Sequence, residues 1–205
     1  MAFRTTVVTS ATGEPVTVAD LKSQLRITST DEDTEIAGFG LAARKRLEKD
    51  TGMVLMPQTR RVYLDQWTTG GDGYGSIKIP HHPLRGVGST GIVYTDSDGD
   101  STTWGSTNWS VDDVSMPGRI VLDANGDYPS ATLANDRPIA IDFTCGYTTA
   151  TIPGDLQLAI KMLTGHYYEN RENSYLTQFG GGGVTLVPMT YQDIVNDYTD
   201  WTKRF

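Results

Sequence analysis

The chain has 205 residues, with 17 Lys or Arg against 25 Asp or Glu, and its formal net charge at pH 7 is −8. This acidic balance argues against a protein that grips nucleic-acid phosphates, which needs a dense basic surface. The single cysteine, Cys145, excludes an intramolecular disulfide and any multi-cysteine metal site. No apolar run approaches the roughly 18 residues that span a bilayer, and no signal peptide is visible. We therefore expect one domain or two small ones, made in a reducing compartment without a membrane partner.

The N-terminal quarter predicts two helices. Thr17 followed three residues later by Asp20 resembles a capping box, which marks a helix start. A longer helix is predicted over residues 31–51, where apolar residues recur at helical spacing after an acidic first turn, and Gly52 is well placed to cap it. Its last turns are basic. We interpret these cations as a solvated face that complements the helix dipole, with a contact to DNA or to an acidic neighbour as the alternative.

The middle of the chain changes from helical spacing to short alternating runs. Residues 59–65, 76–80, 91–95, 119–122 and 138–144 are rich in β-branched and aromatic residues. Clusters of Gly, Asp, Asn and Pro separate them and predict turns. Residues 58–147 therefore predict a small antiparallel β unit of about five strands.

The C-terminal part predicts a third helix and an amphipathic segment. The helix opens at Ile152-Pro153-Gly154-Asp155 and runs to about Glu172. Four consecutive glycines, Gly180–Gly183, then predict a flexible hinge, since they have neither the spacing nor the Lys-Ser/Thr ending of a phosphate loop. Beyond the hinge, large apolar residues recur at helical spacing, namely Tyr191, Ile194, Val195, Tyr198, Trp201 and Phe205. This stripe either folds back on the chain's own core or docks on another chain, and the glycines favour a partner.

Several groups of residues invite a chemical interpretation, and each has a simpler one. Asp96-Ser97-Asp98-Gly99-Asp100 resembles a calcium loop but fails at the sixth and twelfth positions, so a β-turn is the better prediction. His81, His82 and the distant His166 make a poor metal set, because adjacent strand residues point to opposite faces. Cys145 has no evident histidine partner and is interpreted as a buried small side chain.

The acidic middle of the chain leaves one enzymatic alternative open. Seven acids lie between Asp96 and Asp127 against the single base Arg119. Paired carboxylates such as Asp112 and Asp113 are the groups that hydrolyse glycosides, but nothing flanking selects two of them. A solvated acidic face is the default interpretation. The alternative function is a β-rich, hydrolase-like module that binds a metal or another ligand.

Several motifs in this order resemble the head–tail connector (adaptor) proteins of tailed phages. The likeness spans nearly the whole chain. It is carried by Pro15–Ile27 with Asp31-Glu32-Asp33, Leu47–Gly52, Pro117–Ile120, Phe143–Tyr147, Ile152–Leu156, His166–Glu172 and Val187-Pro188-Met189. The chain departs from the family pattern after Tyr198, where Thr199 to Phe205 extends past the usual end.

The resemblance implies an α+β subunit without enzymatic activity or cofactor. Its ring-forming helical body would comprise residues 1–57 and 148–175, with a small antiparallel β unit inserted at 58–147 and an extended C-terminal arm at 176–205. In this family such subunits form a ring, usually of twelve copies, in the virion neck. The ring lies beneath the portal and joins it to the next connector or tail component. We also expect assembly in the host cytoplasm.

The resemblance further implies roles for particular residues. The portal-binding element would consist of Pro188, Met189, Tyr191, Ile194, Val195, Tyr198 and Trp201, with Gly180, Gly181, Gly182 and Gly183 as its hinge. The basic cluster Arg44, Arg46 and Lys49 is expected at a subunit interface. Genomic DNA would pass through the lumen without specific binding, because an acidic wall repels the duplex.

Overall fold

A computed structural model describes residues 4–67, 76–171 and 189–203, and the chain divides into two compact units. The first, called here the β unit, comprises residues 1–12 and 56–147. The second, called here the helical unit, comprises residues 13–55 and 148–205. The predicted α+β class is confirmed, since the structure holds four α-helices and antiparallel sheets.

The helical unit contains α1 (Val18–Leu25), α2 (Asp33–Thr51), α3 (Gly154–Glu169) and α4 (Met189–Lys203). Local signals set the ends of the first two. The Thr17 hydroxyl accepts the backbone N–H of Asp20 and the Asp20 carboxylate accepts that of Thr17, so the predicted capping box is confirmed. Gly52 ends α2 with φ 74°, a left-handed conformation that glycine adopts without steric cost.

The core of the helical unit is a layer of aliphatic side chains between α2 and α3. Ile36, Ala43 and Leu47 of α2 and Leu156 and Ala159 of α3 are fully buried. They recur at the three- and four-residue spacing that places side chains on one helix face. The predictions of helices near 31–51 and 153–172 are therefore confirmed.

The β unit is built on a five-stranded antiparallel sheet of order β1-β2-β8-β4-β5. Its strands are β1 (Arg4–Thr9), β2 (Gln58–Leu64), β4 (Leu84–Thr95), β5 (Ser101–Trp104) and β8 (Ile139–Cys145). One face is apolar, because Val62, Ile141 and Ile92 stand side by side on the three central strands and are fully buried. The opposite face is polar, as expected of an antiparallel sheet with one face packed on the core.

A second sheet has three strands in the order β3-β7-β6: β3 (Ile77–Lys78), β6 (Trp109–Asp112) and β7 (Arg119–Leu122). Ile77 and Ile120 pair across it and are buried. Beside the sheets, Trp67, Trp104 and Tyr128 form an aromatic cluster with ring centroids 4.9 to 5.3 Å apart. The β unit is therefore larger than the predicted group of about five strands.

The predicted organisation and the observed one differ at both ends of the chain. Residues 4–9, expected in the helical body, form β1 at the edge of the five-stranded sheet, because β-branched Thr and Val suit a strand. Residues 189–203, expected within an extended arm, are helix α4. Residues 172–188 lie outside the described part of the chain, so the hinge Gly180–Gly183 and Pro188 do too.

Candidate functional site

The C-terminal helix α4 packs within the helical unit against α2 and α3. Tyr191 is 1% exposed, Val195 5% and Ile194 8%, so three of the seven residues expected at the portal lie in the core of this unit. Helical spacing places them on one face, as the sequence predicted. Met189 and Trp201 belong to α4, but their side chains lie outside the described residues. The folded-back arrangement is thus the one that the structure records.

Polar contacts to Asp50, in the last turn of α2, join α4 to the helical unit. The Tyr191 hydroxyl donates to the Asp50 carboxylate at 3.0 Å, and the same oxygen accepts from Arg46 Nε at 2.6 Å. Burial raises the pKa of the Tyr191 phenol, and its hydrogen bond to Asp50 raises it further. Tyr191 therefore remains a neutral donor to a charged acceptor, which is the stronger kind of hydrogen bond.

Two further contacts lie about two turns of α4 beyond Tyr191. The Thr199 hydroxyl is 3.1 Å from the backbone carbonyl oxygen of Asp50 and 2.6 Å from that of Val195. The Tyr198 hydroxyl donates to the Asp155 carboxylate at 2.9 Å, at the start of α3. The last of these contacts is exposed, so it contributes less than the buried contact of Tyr191.

The basic cluster of α2 is largely paired within its own unit. Arg44 donates to Glu14 at 2.7 Å and to Glu48 at 3.2 Å, and its side chain is only 12% exposed. Burial alone would lower the pKa of Arg44, but the two carboxylates outweigh that effect and raise it. Arg46 pairs with Asp50, whereas Lys49 is exposed. The solvated-face interpretation therefore fits Lys49 better than it fits Arg44.

The polar face of the five-stranded sheet carries an ion pair that sequence reasoning missed. Arg61 donates from Nε and Nη2 to the two oxygens of Asp142, at 2.5 and 2.8 Å. Asp142 is 5% exposed, and its hydrogen bonds from Arg61 lower the pKa of its carboxyl. Gly88 permits a close approach here, because a Cβ would lie 3.1 Å from Asp142 Cβ. The pair borders a polar groove of about 350 Å³.

The signal for this pair in the sequence was partial. Arg61 and Asp142 each occupy a polar position of an alternating strand, which indicates a shared kind of face. Nothing in the spacing shows that the two residues are neighbours, since 81 positions separate them. The register of β2 on β8, with Arg61 opposite Asp142, decides the pairing.

The adjacent histidines are structural parts of the β unit. His81 Nε2 lies 3.1 Å from Arg60 Nη1 and 3.2 Å from Thr5 Oγ1. Because arginine only donates, Nε2 is the unprotonated acceptor. Burial lowers the pKa of His81 to about 4, and the charge of Arg60 adds to the shift. His82 is 7% exposed, and burial lowers its pKa too.

The remaining residues that were considered as catalytic or metal-binding have structural roles. Cys145 is fully buried in β8, with Sγ 3.9 Å from the carbonyl oxygen of Gln58, so the interpretation as a buried small side chain is confirmed. The Asp96 carboxylate accepts the backbone N–H groups of Asp98 and Asp100, which confirms the predicted turn between β4 and β5. Asp112 accepts from Ser115 and Arg119, and these bonds lower the pKa of its carboxyl to about 2.

Two kinds of site are absent from the described residues: a cluster of metal ligands and a helix that could span a membrane. No three His, Cys, Asp or Glu side chains in residues 4–67, 76–171 and 189–203 group closely enough to hold a metal ion. Of the helices within those same ranges, none has the length and apolar character that a membrane span requires.

Comparison with known proteins gives a likeness in structure. No protein-family model and no curated protein sequence matches the chain. Solved structures do match. A chain of the neck of an empty gene transfer agent (GTA) particle, reconstructed with C6 symmetry, superposes with a TM-score of 0.71 at 22% identity. The match covers 95% of this chain and 94% of that one.

Two further structures agree over the same extent. A chain of the virion of a native GTA particle gives a TM-score of 0.71 at 23% identity. A chain of the native GTA neck, reconstructed with C12 symmetry, gives 0.68 at 22% identity. Both matches cover 95% of this chain and 94% of the other. The chain shares the fold of these GTA particle chains.

Proposed function

We propose that this protein is a structural component of a virion neck, a head–tail connector that forms a ring beneath the portal. The observation that carries the proposal is the shared fold over 95% of the chain with chains of GTA necks. Those necks were reconstructed with C6 and C12 symmetry, which supports a ring of twelve copies. The ring links the portal to the next connector or tail protein, and the genome passes through its lumen.

The proposal assigns no catalytic activity to the chain. Its single cysteine is fully buried, and the carboxylate of Asp112 is engaged by Ser115 and Arg119. Asp96, at the start of the acidic middle, orders a turn through its own backbone hydrogen bonds. The burial of Cys145 and the hydrogen bonds of these two carboxylates favour a structural role over the hydrolase-like alternative.

The C-terminal segment remains the proposed portal-binding element, with Pro188, Met189, Tyr191, Ile194, Val195, Tyr198 and Trp201 as its contacts. Gly180–Gly183 act as its hinge in this proposal. Arg44, Arg46 and Lys49 remain the proposed subunit-interface cations, and of these Arg46 and Lys49 are exposed. An amphipathic helix that lays its apolar face into a groove is a common mode of protein recognition.

The net charge of the ring also favours this function. Twelve copies at −8 each carry a charge of about −100. An acidic lumen repels the duplex and lets it slide, whereas a basic lumen would hold it by its phosphates.

The proposal is tested with the purified full-length chain and the portal ring of the same virion. Size-exclusion chromatography with light scattering measures the copy number, and a binding assay measures association with the portal. We expect a ring that binds the portal and a truncation from Gly180 onward that does not. A chain that stays monomeric on its own and with the portal contradicts the ring.

Removal of α4 uncovers apolar surface on α2 and α3, so a second variant keeps the buried residues of α4 in place. Tyr198→Ala combined with Trp201→Ala leaves Tyr191, Ile194 and Val195 unchanged. We expect this variant to fold as wild type, by circular dichroism, and to bind the portal more weakly. Portal binding that is unaffected in both variants shows that the C-terminal segment is not the docking element.

A further inference from the structure

We infer that Asp50 is a latch that stores the apolar face of α4 within the helical unit, so that the portal is engaged only after α4 leaves α2 and α3. This inference rests on the proposed function, because it concerns the regulation of the same docking element. It names a residue outside the C-terminal segment, and it predicts that loosening the fold at one place strengthens binding at another.

The first step is that α4 has one apolar face, which packs in the helical unit and is also the face proposed to bind the portal. Tyr191, Ile194 and Val195 are proposed to contact the portal, and all three are at most 8% exposed in the helical unit. The same side-chain atoms cannot pack on α2 and α3 and on a portal groove at once. Portal docking therefore requires exchange of one apolar environment for another, and the two states compete for α4.

The second step is that one residue at the end of α2, Asp50, makes two polar contacts to α4. The Asp50 carboxylate accepts from Tyr191 at 3.0 Å, and the Asp50 carbonyl oxygen lies 3.1 Å from the Thr199 hydroxyl. Arg46 donates to the same carboxylate oxygen at 2.6 Å, which holds the acceptor in place. Asp50 thus meets α4 at two points, two turns of that helix apart.

The third step is that the latch is specific for α4. The contact that the Tyr198 hydroxyl makes with Asp155, at the start of α3, is exposed and therefore contributes less than the buried contact of Tyr191. By contrast, α2 and α3 are joined by a layer of buried aliphatic side chains, of which Asp50 is not one. Weakening Asp50 therefore releases α4 without dissolving the rest of the unit.

The energetic consequence follows from competition. When only a fraction of the chains has α4 released, the apparent affinity for the portal is reduced by that fraction. A hydrogen bond to a charged acceptor is worth more than one to a neutral acceptor. Replacing the carboxylate by an amide of the same shape raises the released fraction.

The first experiment measures portal affinity of the full-length Asp50→Asn variant. We expect about five- to tenfold tighter binding to the portal ring of the same virion than wild type shows. The matched control is Asp31→Asn, an exposed carboxylate near the start of α2 that bonds to Ser29, and its affinity should equal that of wild type. Unchanged or weaker binding by Asp50→Asn overturns the latch.

The second experiment locks α4 in place and does not depend on loosening the fold. The double variant Asp50→Cys with Thr199→Cys is linked by a short bifunctional thiol reagent that contains a cleavable disulfide. Cys145 is fully buried, so it does not compete for the reagent. We expect the linked chain to lose portal binding and a reductant to restore it. Equal binding by the linked and reduced forms overturns the latch.

The two proposals fail in different ways. If neither wild type nor any variant binds the portal, the proposed docking function is wrong, and the latch falls with it. If the truncation from Gly180 abolishes binding while the linked chain still binds, the docking element stands and only the latch is wrong.

Discussion

Two well-connected carboxylates, one from each unit, differ in what they hold together. Asp142 lies between neighbouring strands of the β unit, 5% exposed and bonded by both oxygens to Arg61. Asp50 lies at the end of a helix, with its side chain 20% exposed, and joins α2 to α4. The first carboxylate joins two central strands of a sheet, whereas the second lies at the interface between α2 and α4.

The difference shows how position in the fold decides what an ion pair does. Strands β2 and β8 are central and paired on both sides, so the Asp142 contact breaks only if the sheet opens. The backbone hydrogen bonds of a helix lie within that helix. Helix α4 can therefore separate from α2 without breaking the backbone hydrogen bonds of either helix. We therefore expect loss of Asp142 to affect global stability and loss of the Asp50 contact to act locally.

The largest effect is expected at Asp142. Asp142→Asn should lower the free energy of unfolding of the β unit by about 2–3 kcal/mol, because a buried acceptor loses its charge while Arg61 keeps its own. The partial exposure of Arg61, at 35%, keeps the effect below that of a fully buried pair. Urea unfolding followed by tryptophan fluorescence measures it.

The matched control is Asp98→Asn, in an exposed turn of the same unit. Its effect should stay within about 0.5 kcal/mol. If Asp142→Asn lowers the free energy of unfolding by less than about 1 kcal/mol, Asp142 acts as locally as Asp50, and the contrast between these two carboxylates does not hold.

A second effect is expected in acid, again in the β unit. The folded pKa of His81 is about 4, whereas its unfolded value is about 6.5. Between these values the unfolded chain binds the extra proton, so the contribution is complete above pH 6.5 and is lost as the pH falls toward 4. We expect wild type to lose about 2–3 kcal/mol from this group over that window.

The measurement compares wild type with His81→Asn from pH 4 to pH 7. Asparagine is among the side chains that tolerate the φ of 76° found at this position. The difference between the two stability curves isolates His81 from His82, which is present in both proteins. Parallel curves would show that His81 does not titrate differently on folding.

The smallest effect on stability is expected at the interface between α4 and α2. Tyr191→Phe removes one hydrogen bond to Asp50 and keeps the buried ring, so the loss should be about 1 kcal/mol. Far-UV circular dichroism during urea unfolding measures it, with Tyr198→Phe as the exposed control at about 0–0.5 kcal/mol. A loss at Tyr191 as large as that at Asp142 would mean that α4 is integral to the unit.

The features that the sequence predicted well are those encoded by neighbouring residues. The capping box of Thr17 with Asp20, the Gly52 cap and the turn at Asp96 each involve positions at most a few residues apart. The stripe of α4 was predicted from its spacing alone. What the stripe packs against was left between two alternatives, because helical spacing shows that a face is apolar and not which surface covers it.

The features that were missed depend on distant pairing. β1 has a strand composition but was not assigned, since the residues of β2 that pair with it lie 50 to 59 positions away. The contact of Arg61 with Asp142 and the contact of Tyr191 with Asp50 cross 81 and 141 positions. Such pairs follow from the register of strands and the docking of helices, which a local pattern does not contain.

The route of the chain through its two units has a consequence for its synthesis. The chain begins in the β unit, passes into the helical unit, returns at residue 56 and leaves again at residue 148. Chains fold from the N-terminus as they emerge from the ribosome, so the β unit is complete before α3 has appeared. Helix α4 emerges after α3, onto a body already assembled. The element that follows the other three helices and both sheets is also the one whose departure leaves them in place.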